Sequence, residues 1–203
     1  MKKINVVYVD DRIDKIISKH MVAWSEKIFK YNGNEIIKDY HEVRFDEEKG
    51  YEDLIKNEVV TSANIILIDN HLFEEWSASS RFSGQQFKVL FKKLLPYIEV
   101  IIISQDNRLR TENTVVKFSG TGESDAESYY TENLDPCLDE AIKEVLALEE
   151  IALTMQSSSV IDKFLQDSIL YSMKGDVAYE GLKKTDIDKL ILAFRELKND
   201  FNE

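Results

Sequence analysis

The feature that most constrains this chain is a set of three short apolar runs, each closed by a polar residue. The runs, with the residues that close them, are Val6–Val9 with Asp10, Ile65–Ile68 with Asp69, and Val100–Ile103 with Ser104. Asp11 follows Asp10 directly. Runs that are this short, apolar on both faces and separated by helical patterns are typical of central strands in a parallel sheet. The carboxyl ends of such strands line the ligand crevice, so we expect three carboxylates and a hydroxyl at one mouth.

Helical patterns alternate with these strands, which predicts an α/β fold with a doubly wound parallel sheet. We predict a helix from Arg12 to about Tyr31, a turn at 32–34, and a strand over Ile36–Phe45. A short helix around 51–59, a long loop over 70–83 and a helix opened by Gly84 follow. Asp135 and Pro136 predict the start of a helix that runs to about Met155. Residues 1–156 would form the main domain, and residues 157–203 a C-terminal helical extension.

Composition narrows the classes of function. The formal net charge of −12 argues against a nucleic-acid or anionic-membrane partner, because phosphate contacts require clustered Lys and Arg. No run is apolar for long enough to span a bilayer. The single cysteine, Cys137, excludes an intrachain disulfide and fits a reducing cytoplasm. With three histidines in the whole chain, a multi-His zinc site is not expected.

The order and spacing of several short motifs resemble a response-regulator receiver (CheY-like) domain, the phosphoacceptor module of two-component signalling. The motifs are Val7-Tyr8-Val9-Asp10-Asp11, Ile66-Leu67-Ile68-Asp69, Gly84, Ile101-Ile102-Ile103-Ser104, and the segment from Ala126 to Pro136. The resemblance covers roughly the first 150 residues, and it implies a five-stranded parallel sheet of the flavodoxin-like type. It also implies a cytoplasmic signalling phosphoprotein that receives its phosphoryl group from a histidine kinase or phosphotransfer protein and then contacts a downstream protein.

The resemblance also assigns roles at the mouth of the sheet. Asp69 would accept the phosphoryl group, and Ser104 would donate to one of its oxygens. A divalent cation, Mg²⁺ by preference, would be held by Asp10, Asp11, Asp69 and the backbone carbonyl of His71, with Asp10 acting through water. Elementary electrostatics is consistent with a cation at this position, because three ionised acids close together need either a cation or at least one raised pKa.

The position of the family's lysine is open. If Ser128–Thr131 is the fifth strand, Glu132 stands where the lysine is expected, and the site would be degenerate. If Thr114–Phe118 is the fifth strand, Lys117 replaces it. The interval between Ser104 and Lys117 is short for an intervening helix, so we favour the first alignment and interpret Lys117 as a solvated strand residue. Glu132 could equally be a surface residue that is turned away from the site.

Three other interpretations of the sequence compete with that of a phosphoacceptor. The chain could be a pseudo-receiver, a binding or scaffold module without phosphorylation, as Glu132 would favour. A haloacid-type phosphatase is disfavoured because its nucleophile motif, Asp-x-Asp, is missing at the strand that ends in Asp10 and Asp11. Asp10 and Asp11 could simply cap the helix that starts near Arg12. The apolar stripes of residues 157–203 need a partner surface, which could be the main domain, a second copy in a homodimer, or another protein.

Overall fold

The computed structural model describes residues 2–46, 50–72, 83–109, 113–120 and 122–156. Within these ranges the chain forms six strands and six helices. The strands are β1 (Lys2–Asp10), β2 (Phe29–Tyr31), β3 (Asn34–Arg44), β4 (Ile65–Asp69), β5 (Glu99–Ser104) and β6 (Thr114–Val116). The helices are α1 (Lys15–Glu26), α2 (Tyr51–Lys56), α3 (Glu58–Thr61), α4 (Gly84–Leu94), α5 (Glu123–Asn133) and α6 (Asp135–Gln156). The predicted α/β class is therefore confirmed.

The strands form one six-stranded sheet in the order β2-β3-β1-β4-β5-β6. Five of them are parallel, and β2 pairs antiparallel with β3. The prediction of a five-stranded, all-parallel sheet is wrong in this respect, although the fold is broadly flavodoxin-like. The cause is the turn at Asn32 and Gly33, whose φ angles of 49° and 77° fit a tight two-residue hairpin. This turn folds β2 back on β3, so α1 ends at Glu26 and not near Tyr31.

Two apolar layers sandwich the sheet. Strands β4 and β5 are buried along their whole length, as expected for central parallel strands. On one face, Phe87 and Phe91 of α4 belong to the same apolar cluster as Val7 and Ile66 of the sheet. On the other face, Trp24 of α1 and Leu138 of α6 belong to the second cluster. Each apolar side chain that is fully buried in this way stabilises the fold by about 1.5–3 kcal/mol relative to an exposed one.

The segment that we predicted as the fifth strand is helical. Residues 128–131 lie in α5, and the fifth parallel strand is β6, which pairs with β5. Burial explains the difference, because Ala126, Tyr130 and Leu134 are buried at the four-residue spacing of one helix face. The connection between β5 and β6 contains no helix in the residues that are described there, 105–109 and 113.

Helix α6 begins and ends where the sequence predicts. Its first residue, Asp135, ties it to α1 through two cationic or polar partners. The carboxylate lies 2.7 Å from His20 Nε2 and 3.0 Å from Lys27 Nζ. Burial by itself would raise the pKa of Asp135, but the hydrogen bonds from His20 and Lys27 outweigh it and hold that pKa below its ordinary value.

The predictions for residues 157–203, and for the loop residues 73–82, lie outside the described residues. In the part of the chain that is described, no helix combines the length and the apolar character needed to cross a membrane.

Candidate functional site

Three carboxylates meet at the carboxyl ends of the two central strands. Asp10 closes β1, Asp69 closes β4, and these strands are parallel neighbours, so both chain ends reach the same edge of the sheet. Asp11 follows Asp10 directly. One carboxylate oxygen from each of the three residues lies within 4.8 Å of the others. The spatial convergence that the sequence predicts is therefore present in the structure.

Asp10 is fully enclosed and hydrogen-bonded through both oxygens. It is 1% exposed, and its Oδ1 accepts the backbone amide of Arg12 at 2.9 Å. Its Oδ2 receives two donors, the hydroxyl of Tyr8 and the ammonium of Lys117, the latter at 3.2 Å. Because both oxygens have hydrogen-bond partners, the orientation of this carboxylate is fixed. A fixed carboxylate suits an indirect contact with a cation, through water, better than a flexible carboxylate would.

Asp69 is held by its own loop and by the same lysine. Its Oδ1 accepts the backbone amide of His71 at 3.1 Å, and its Oδ2 pairs with the Lys117 ammonium. The next residue, Asn70, donates its amide to the carbonyl of Ile103 at 2.7 Å and so continues the ladder between β4 and β5. The side chain of His71 is exposed, and a ligand role for its carbonyl stays a prediction.

Asp11 is the most exposed of the three acids, and its pKa is raised by its surroundings. Its side chain is 15% exposed. Burial, then the hydrogen bond and charge of Asp10 and the charge of Asp69, raise the pKa of Asp11 to about 6, while Arg12 opposes the shift. Burial is the largest cause of this shift, and the part that comes from the charges of Asp10 and Asp69 is the part that a bound cation would offset.

Lys117 lies between the acids, where it is 11% exposed. Burial lowers the pKa of this lysine, but the charges and hydrogen bonds of Asp69 and Asp10 more than compensate, so the pKa is raised and the ammonium stays charged. Glu132, in contrast, is exposed on α5. Our preference for Glu132 at the lysine position, and for a solvated Lys117, is therefore wrong.

Two tyrosines of α5 fix the backbone on either side of Lys117. The hydroxyl of Tyr129 donates to the carbonyl of Val116 at 3.0 Å, and the hydroxyl of Tyr130 accepts the amide of Phe118 at 3.0 Å. The amide of Lys117 itself donates to the carbonyl of Ser104 at 2.7 Å. The helix that we predicted as a strand therefore helps to position Lys117.

Ser104 closes β5 and is fully buried. Its Oγ accepts the backbone amide of Asp106 at 3.0 Å. This bond uses an oxygen lone pair and not the hydroxyl hydrogen, so the side chain retains the capacity to donate.

The capping explanation for the acid pair does not hold. Helix α1 begins at Lys15, and its N-cap is Asp14, whose carboxylate accepts the amide of Ile16 at 2.8 Å. Asp10 and Asp11 precede this cap and contribute to the mouth of the sheet instead.

Gly84 explains how α4 can start so close to the site. A β-carbon placed on this residue would lie 2.6 Å from the carbonyl oxygen of Asp69 and 3.0 Å from Cα of Asn70. Backbone atoms cannot yield as a flexible side chain can, so only glycine fits. Ser83 starts the helix with a capping box that it forms with Gln86.

The sequence did not predict the three tyrosines that support the acids and the lysine, Tyr8, Tyr129 and Tyr130. The contribution of Tyr8 was hidden because a tyrosine within an apolar run is indistinguishable from a core residue. Its position two residues before Asp10, and hence on the same side of the strand, was the available signal. The contacts of Tyr129 and Tyr130 depend on a helix that the sequence did not predict.

The residues present fit a divalent cation. If all three carboxylates are ionised, Lys117 offsets one of their charges, and two negative charges are left. Mg²⁺ prefers oxygen ligands and is commonly held by one or two carboxylates together with waters and phosphate oxygens. The cluster of Asp10, Asp11 and Asp69 could therefore bind such an ion.

Comparison with known proteins gives no family assignment. No family model matches the chain, and no curated protein matches it. What the structure defines is an α/β protein, broadly flavodoxin-like, with an enclosed acidic cluster at the carboxyl edge of its sheet.

Proposed function

We propose that this chain is a receiver-type phosphoacceptor, in which Asp69 takes a phosphoryl group and the protein signals through contacts with other proteins. The observation that carries the proposal is the position of Lys117. Its ammonium contacts both Asp10 and Asp69, so one buried cation stands where a phosphoryl group on Asp69 would place new negative charge. Phosphoryl transfer depends mainly on positioning and on electrostatic stabilisation of this kind.

The chemistry requires one bond to form and one to break. An oxygen of the Asp69 carboxylate attacks the phosphorus of the donor, and the bond from phosphorus to the leaving group breaks, with its electron pair going to that group. Lys117 would turn to a phosphoryl oxygen, and the Ser104 hydroxyl would donate to another. A Mg²⁺ ion bound by Asp11 and Asp69 would supply charge neutralisation and orientation for the phosphoryl oxygens.

The proposed donor is a histidine kinase or a phosphotransfer protein, and the proposed acceptor of the signal is a downstream protein in the cytoplasm. A homodimer through residues 157–203 stays a prediction. The proposal includes no nucleic-acid partner, because the net charge of the chain is negative and phosphate contacts require clustered positive charge.

The alternative of a pseudo-receiver rested on Glu132 in place of the lysine. Because Lys117 contacts the acids and Glu132 is exposed on α5, the specific reason to prefer that alternative is removed.

The test is incubation with Mg²⁺ and a small phosphodonor such as acetyl phosphate, followed by intact-mass measurement. We expect one added phosphoryl group in the wild type and none in Asp69→Asn. Asp39→Asn is the matched control, because that aspartate lies on β3 and pairs with Lys3, away from the cluster. A wild type that gains no mass, or an adduct that survives in Asp69→Asn, would contradict the proposal.

A further inference from the structure

Tyr8 is a buried tyrosine whose hydroxyl is hydrogen-bonded to the acid cluster. It is fully enclosed between the sheet and the layer that contains α1. Its hydroxyl donates to Oδ2 of Asp10, which is the same oxygen that receives the Lys117 ammonium.

The chemistry of the two groups fixes the direction of the hydroxyl hydrogen. An ionised carboxylate can only accept hydrogen bonds, so the Tyr8 hydroxyl is the donor and its hydrogen is directed at Asp10.

The arrangement matters because Lys117 would turn toward a phosphoryl oxygen on Asp69 in the proposed transfer. That movement would loosen its contact with Asp10. An enclosed carboxylate that loses its ionic partner suffers a large penalty unless another donor satisfies it.

We propose that Tyr8 is a positioning residue for phosphoryl transfer: by donating to the oxygen that Lys117 shares, it keeps Asp10 satisfied and oriented while the lysine moves to the phosphoryl group. This inference rests on the proposed function. Tyr8 touches neither substrate nor cation, and acts through Asp10 and Lys117.

The test compares Tyr8→Phe with Tyr40→Phe. The two positions form a matched pair, because Tyr40 on the neighbouring strand β3 also donates to the acid two residues further on, in its case Oε1 of Glu42 at 2.9 Å, but Glu42 is exposed and is not one of the three clustered acids. Two affinities are measured for each variant: that of Mg²⁺ alone by calorimetry, and that of beryllofluoride, a phosphoryl mimic, at saturating Mg²⁺. The rate of acetyl-phosphate labelling is measured alongside.

Loss of a hydrogen bond to a charged group weakens the state that needs it by about tenfold or more. We therefore expect Tyr8→Phe to reduce beryllofluoride affinity and the labelling rate by about this factor, with a smaller change in Mg²⁺ affinity. Tyr40→Phe should change neither. A purely structural role would lower both affinities together, and equal values for the two variants would also overturn the inference.

If Tyr8→Phe does not fold, 3-fluorotyrosine incorporated at position 8 retains the hydroxyl and gives a fluorine resonance. That resonance should shift when beryllofluoride is added to the Mg²⁺-saturated protein, because Lys117 then leaves the shared oxygen. An unchanged resonance would overturn the role of Tyr8. A wild type that binds no beryllofluoride and takes no phosphoryl group would instead overturn the proposed function, and the inference with it.

Discussion

Replacing Lys117 by alanine removes the one ammonium that the structure shows between the buried acids Asp10 and Asp69. The Lys117 Nζ to Asp10 Oδ2 distance of 3.2 Å corresponds to an attraction of about 5 kcal/mol at an effective dielectric of about 20. Breaking a buried pair by removing one partner typically costs about 3–5 kcal/mol, because the other charge is left uncompensated. We therefore expect Lys117→Ala to lower the free energy of unfolding at pH 7 by about 3–5 kcal/mol.

The measurement is urea denaturation at pH 7, with and without Mg²⁺. The loss should shrink when Mg²⁺ is added, because a bound cation would compensate the orphaned carboxylates. Lys143→Ala is the control, since Lys143 pairs with Glu140 on the surface with 52% and 64% of their side chains exposed, and exposed pairs contribute about 0–1 kcal/mol. If both variants lose the same small amount, the lysine does not hold the acids as described.

Three further outcomes follow from the structure. Gly84→Ala should lower the free energy of unfolding by about 1–3 kcal/mol in urea denaturation, since the new methyl group would overlap the Asp69 carbonyl, whereas Gln85→Ala in the same helix should have little effect. The folded protein keeps the Asp11 proton up to about pH 6, but the unfolded chain loses it near 3.8, so this residue should make the melting temperature fall as the pH rises through that window, and Asp11→Asn should remove that contribution. The depressed pKa of Asp135 acts in the opposite sense: its stabilisation is present above the unfolded value of 3.8 and is lost as the pH falls below it, which Asp135→Asn should blunt in the same melting series.

The sequence was sufficient for the parts of the fold in which local pattern and burial agree. The strands that end at Asp10, Asp69 and Ser104 are apolar on both faces, and only a central position in a sheet satisfies such runs. The acid cluster followed directly, because parallel neighbouring strands bring their carboxyl ends together. Gly84 and Asp135 marked helix starts through chemistry that does not depend on distant contacts.

Elsewhere tertiary context overrode local preference. Tyr129 and Tyr130 favour strands in isolation, but here they anchor a helix whose hydroxyls reach the backbone beside Lys117. The short connection after Ser104 argued against a strand at Thr114, because a helix between parallel strands is the usual solution, and this chain does without one in the residues described. The β2–β3 hairpin was missed since a helical pattern continued through Ile28, which is 74% exposed.

The β2–β3 hairpin also has a consequence for self-association. Strand β2 pairs only with residues Asn34–Ile36 of β3. Among the described strands, the edge of β3 that faces away from β1 therefore has no neighbour from Ile37 to Arg44. An open edge of this length invites edge-to-edge pairing and aggregation. Lys38 counters that risk, because it is 7% exposed and donates its ammonium inward to the carbonyl of Trp24. A strand that paired with this edge would have to accommodate the Lys38 ammonium, which is already hydrogen-bonded to Trp24 of α1. Lys38 therefore disfavours pairing at this edge, although none of the described strands covers it.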